Sequence, residues 1–118
     1  MTADQLDKPQ NFDTKHLTNN DQRKIAQAII KVAKEIFGDD ASGGGCRAFY
    51  TPKEWKERGE KYGQDSKLIV VYDGGDLYPL FSYMSECREA QRKVDQALEE
   101  LGYYHEPCTG WYSAVYER

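Results

Sequence analysis

No segment of this chain approaches the ~18 consecutive apolar residues needed to cross a bilayer, so no membrane association is expected. The opening stretch MTADQLDKPQNF lacks both a cationic start and an apolar run. It therefore reads as neither a secretory signal nor a transit peptide, and a cytoplasmic location is expected. Cysteine is scarce and odd in number, with Cys46, Cys87 and Cys108 spread along the chain. That is not the pattern of a disulfide-built extracellular domain, and free thiols are expected. An excess of basic residues is missing too: 16 Lys and Arg stand against 20 Asp and Glu, for a net charge of -4. Binding to nucleic acid by direct phosphate contact is disfavoured, because it relies on clustered cations that displace counterions. Internal repeats and long low-complexity tracts are also lacking.

What remains is a chain of 118 residues, the size of one folded unit with a single core. Residues 1–18 are polar and without periodicity, which predicts a flexible arm anchored at most through Leu6, Phe12 and Leu17. Residues 19–118 form a single α+β domain in this reading. Ile25, Ile29, Val32, Ala33 and Ile36 recur at helical spacing from Asn20 onward, and Gly38 supplies a left-handed stop. CRAFY reads as a short strand. In YTPKEW, Thr51 and Glu54 have capping-box spacing, Pro52 suits the first helical position, and Tyr50 can staple onto Trp55. The helix begun there is expected to end near Tyr62 and Gly63. Gly59 within it either lets the helix approach a sheet closely or breaks it.

KLIVVY is the strongest strand signal, and DGGD then turns the chain so that LYPLF returns as an antiparallel strand limited by Pro79. A helix from about Ser85 to Leu101 carries Ala90, Val94, Ala97, Leu98 and Leu101 on one face and closes at Gly102. In GYYHEPCTGWYSAVY two aromatic, β-branched segments flank PCTG, the grammar of a hairpin. With Glu106 and Trp111 closing the loop, His105 would face Tyr112 and Tyr104 would face Ser113. The order α-β-α-β-β-α-β-β predicts a two-layer α+β sandwich, a mostly antiparallel sheet of about five strands with helices packed on one face.

Candidate chemistry is sparse. Cys46, Cys87, Cys108 and His105 are a sufficient tetrahedral zinc set, yet only His105 and Cys108 have knuckle-like spacing. No metal is expected. As a nucleophile and base the same two residues would sit at an exposed hairpin tip beside Glu106, whose charge raises a thiol pKa. Cys87 is expected on the inner side of the last helix. SGGGC leads into a strand and not into a helix with a lysine, so it reads as a connector. Asp73 and Asp76 of DGGD lack further oxygen ligands at calcium-loop spacing and read as a solvated turn. KEWKERGEK mixes charges of both signs and reads as a solvated helix face.

Nine aromatics are tyrosines, poor core filler unless their hydroxyls reach water or a partner. A tyrosine-rich sheet face of Tyr103, Tyr112 and Tyr116, with Tyr72, Tyr78 and the adjacent Trp111, Tyr104 and His105, is the expected binding surface. The leading expectation is a small non-catalytic, cofactor-free interaction module. It would bind a protein partner or itself as a homodimer, through that face or an open sheet edge. A rival reading gathers His105, Tyr104, Arg47 and Asp73 around a small-molecule pocket between sheet and helices, as a binding protein or minor enzyme. A third takes the acidic balance for an inhibitor of a nucleic-acid-binding protein. The size and charge fit the accessory proteins that phages and other mobile elements carry.

Overall fold

The computed structural model describes residues 12–42, 47–73, 75–82 and 86–118. Eight elements follow in chain order: α1 (Asn20–Phe37), β1 (Phe49–Tyr50), α2 (Pro52–Glu57), β2 (Leu68–Val71), α3 (Tyr78–Phe81), α4 (Arg88–Leu101), β3 (Tyr103–Pro107) and β4 (Tyr112–Glu117). The strands form one antiparallel sheet in the order β1-β2-β4-β3. This is an α+β sandwich with four described strands, one fewer than expected.

Side chains alternate across a strand, and the sheet builds a core on each face. Leu68, Val70, Tyr72, Val115 and Tyr103 join Ile25, Ile29, Val32, Ala33, Leu80, Phe81, Val94 and Leu98 in the larger one. The apolar stripes of α1 and α4 and the inner side of α3 therefore share that face. On the other face Tyr50, Ile69, Val71, Tyr112 and Ala114 pack around Trp55 of α2. One helix thus covers part of the face that the sequence left bare.

The ends of α1 and α2 follow from local chemistry. Asn19 caps α1 by accepting from the Gln22 amide at 3.1 Å. Gly38 ends it at φ 88, ψ 179, a glycine region other than the expected left-handed helical one. At α2 the Thr51 hydroxyl accepts from the Glu54 amide at 3.1 Å and the Glu54 carboxylate accepts from the Thr51 amide at 2.9 Å. Pro52 stands at the start of the helix, and Tyr50 meets Trp55 at a ring separation of 4.9 Å. Thr51→Ala should lower stability by about 1 kcal/mol, read as a lower urea midpoint at unchanged slope. An unshifted midpoint would show that the cap contributes nothing.

Four expectations are corrected. LYPLF is not a strand: both neighbours of β2 are already β1 and β4, and Leu77, Leu80 and Phe81, at helical spacing, bury one face of α3. The helix at Thr51 stops at Glu57, and Gly59, exposed at φ 84 with open space around its Cβ position, ends it. Cys87 is exposed at the cap of α4, outside the core. The hairpin pairs Tyr104 with Tyr116, His105 with Val115 and Pro107 with Ser113, a register three residues from the expected one. Residues 108–111 make the connection, one step later than the expected PCTG, and Cys108 and Thr109 both donate to the Tyr112 carbonyl, at 3.0 and 3.3 Å.

Of the N-terminal arm, residues 12–18 belong to the folded unit. Leu17 is buried in the helix-side core, and Phe12 packs on Phe49 at 6.3 Å. The rest of that arm, Cys46 with its glycine run, and Ser85 lie outside the described residues. No described helix is long and apolar enough to cross a membrane.

Candidate functional site

An odd register shift exchanges the faces of every paired side chain, and this decides where the expected site residues lie. Tyr103 is buried in the helix-side core with Tyr72, whose hydroxyl meets Ser113 Oγ at 3.0 Å. Tyr112 is buried on the opposite face, its ring 4.9 Å from Trp55 and its hydroxyl donating to the Tyr62 carbonyl at 3.2 Å. Trp111 packs half-buried on the same cluster. Tyr112 and Tyr116 therefore share the second face, and Tyr103 lies on the opposite one. His105 points to the helix side, where its ring meets Phe81 edge-on at 4.8 Å and Nε2 lies 3.2 Å from Asp95 Oδ1. Cys108 packs against the Trp55 cluster. The imidazole and thiol consequently lie on opposite sides of the sheet, and no dyad or zinc knuckle forms. Among the described residues no three His, Cys, Asp or Glu side chains gather as a metal site.

The proposed small-molecule constellation is dispersed as well. Arg47 sits at the β1 edge, 2.6 Å from Glu54 and 4.0 Å above the Tyr50 ring. Tyr104 and His105 point to opposite faces, and Asp73 follows β2. His16 Nε2 meets the Phe49 carbonyl at 2.7 Å, and Arg47 Nε donates to the same oxygen at 3.1 Å. Side chains thus occupy the outward carbonyl of this edge strand. Asp76 accepts from the Ser42 amide at 3.0 Å, a structural contact and not a cation site.

Among the described residues, the part of the second face beyond α2 is left open. There Tyr104 and Tyr116 stack at 5.7 Å, and the Arg118 guanidinium lies 5.8 Å from the Tyr104 ring. The loop after α2 forms the facing wall, and Tyr116 Oη donates to Asp65 Oδ1 at 3.3 Å across it. Between loop and hairpin lies an open cleft of about 560 Å³, walled by Lys61, Tyr62, Asp65, Glu106, Cys108 and Tyr116 among others. Tyr62 is half exposed.

The cleft disfavours added negative charge. Burial first, then the Asp65 carboxylate, push the Tyr116 hydroxyl up to about 12. Burial and the Glu106 carboxylate, with a smaller contribution from Asp65, push the Cys108 thiol up to about 11. Its thiolate fraction at pH 8 should be about 100-fold below that of an ordinary thiol, slowing alkylation in proportion. Site-resolved mass spectrometry with iodoacetamide checks this against the exposed Cys87. Equal rates at the two positions would contradict it.

A cleft of about 540 Å³ at the start of α4, lined by Ile36, Glu86, Cys87, Arg88 and Lys93 among others, mixes charges of both signs and has no aromatic wall among the described residues. Tyr62 and Asp65 were not singled out from the sequence. Their only local signal is a tyrosine and an aspartate bracketing Gly63 just before a strand. No family model, curated protein or solved structure matches the chain.

Proposed function

We propose that this protein is a non-catalytic interaction module that docks a basic segment of a protein partner on its open sheet face. The observation that carries the reading is the convergence of Tyr116, backed by the stacked Tyr104 ring, with the Asp65 and Glu106 carboxylates around one cleft, where, among the described residues, two acids outnumber the single cation Lys61. Aromatic faces attract guanidinium and ammonium groups, and flanking carboxylates add charge-assisted hydrogen bonds. Exposed Tyr62 supplies a further apolar, polar-tipped contact of the kind enriched at interfaces.

Fluorescein-labelled arginine-rich, lysine-rich and glutamate-rich peptides of equal length provide the test, with binding followed by anisotropy. The arginine peptide should bind most tightly, the glutamate peptide should not bind, and affinity should fall with added salt. Reversing the charge in Asp65→Lys with Glu106→Lys should weaken binding at least about tenfold. Equal binding of all three peptides, or no effect of the double reversal, would remove the basis of the reading. Stabilisation by an uncharged metabolite instead would favour a small-molecule ligand.

A further inference from the structure

Gly102 accepts from the Arg118 amide and Cys108 donates to Tyr112, so the hydrogen-bonded pairs of the β3–β4 ladder fall on even-numbered β3 residues. The backbone groups of Tyr103, His105 and Pro107 consequently point away from β4, toward the free edge of the sheet. Edges of this kind template pairing with another chain unless they are blocked. At the β1 edge, two side chains occupy the Phe49 carbonyl. At the β3 edge, Arg118 Nε donates to the Tyr103 carbonyl at 3.0 Å. Pro107 has no N–H to offer. Among the described residues nothing bonds the outward amides of Tyr103 and His105.

We infer that β3 pairs antiparallel with β3 of a second copy about a two-fold axis at His105. In that register the two His105 residues exchange N–H donors and carbonyls, and each Tyr103 amide donates to the Pro107 carbonyl of the other copy. The groups left over are the Pro107 nitrogen, which donates nothing, and the Tyr103 carbonyl, which Arg118 already serves. No other antiparallel register centred on an outward residue of this strand matches those two gaps. On the open face Tyr104 stands opposite Glu106 of the second copy, so no like charges meet directly.

Charge on α4 supports the same axis. Asp95 marks the level of His105 through their 3.2 Å contact. Exposed Arg88, Arg92, Asp95 and Glu99 follow one stripe of the helix at steps of four, three and four residues. A two-fold at that level sets Arg92 of each stripe toward Glu99 of the other, with the two Asp95 carboxylates beside the axis, each in contact with its own His105. The contact is a short edge and one helix flank, which places it among small, weak interfaces. This pairing does not depend on the basic-partner reading, because none of its hydrogen bonds uses the cleft.

Sedimentation equilibrium on the full chain, from about 10 μM to about 1 mM, tests it. The expected result is a reversible monomer–dimer equilibrium. His105→Pro, which deletes the central donor, should weaken association at least about tenfold, while His105→Val, which keeps it, should not. Arg92→Glu should weaken the dimer, and adding Glu99→Arg should restore it. These exposed positions keep the test decisive should His105→Pro fail to fold. Amide exchange at Tyr103 and His105 should slow as concentration rises. A monomer at every concentration, a charge swap without effect, or exchange at these amides independent of concentration would overturn the proposal.

Discussion

Trp55→Ala is expected to remove about 3–5 kcal/mol of stability, a large share of the ~5–15 kcal/mol that holds a domain together. The indole is fully buried and is the centre of the second core. Its ring lies 4.9 Å from both Tyr50 and Tyr112 and 5.9 Å from Trp111. Truncation opens a cavity under a helix of only six residues, too short to stand without its packing. Each lost aromatic pair adds about 0.5–1.5 kcal/mol to the loss of buried area. The damage should reach the cleft, because Tyr112, one of the rings around Trp55, holds the Tyr62 carbonyl. Urea unfolding measures the effect, and Trp55→Phe, which retains much of the volume, should cost clearly less. A loss below about 1 kcal/mol in the alanine variant would mean that the second face is not a packed core.

Gly63→Ala should be the next most damaging change, at about 2–4 kcal/mol. Gly63 has φ 88, and an added Cβ would lie 2.7 Å from Ile69 Cδ1 and 3.2 Å from the Ala114 Cβ. The Ile69 methyl can swing aside, but Ala114 has no such freedom, so the loop must shift away from the sheet by a few tenths of an ångström. The Gly63 carbonyl also accepts from the Ser66 amide and hydroxyl at 3.1 and 2.7 Å, which ties its position to the start of β2. That shift moves Tyr62 and Asp65 relative to Tyr116, so binding at the cleft should weaken alongside stability. Gly59→Ala is the control: its φ of 84 is equally unusual but open space surrounds it, so it should pay the conformational cost alone. Equal midpoint shifts for the two variants would refute the steric argument.

Local rules were legible wherever one stretch of chain supplied both partners. The capping box of Thr51 and Glu54, the stripe of α1, the buried run of β2 and the left-handed Gly102 after α4 are all readable from spacings of a few residues. LYPLF was not, because a short apolar run with an early proline fits a strand or a helical turn equally. The sheet had no vacant position beside β2 to accept it. The expected tyrosine face failed for a related reason: it rested on the hairpin register, and a three-residue difference moved Tyr103 to the other side. Tyr62 and Asp65 acquire meaning only because their loop folds back over β4, some fifty residues further along the chain.

By itself the amino-acid order determined an α+β domain, its main helices, the capping box of α2, the glycine stop of α4 and a closing hairpin, since these depend on periodicity and on contacts between near neighbours. Tertiary structure alone decided the hairpin register, the burial of Trp55 against the second face, and the separation of His105 from Cys108. A strand's two faces are equivalent until packing selects one, and that selection requires bringing distant segments together. Among the described residues, the cleft and the outward edge of β3 remained uncovered once both cores were filled.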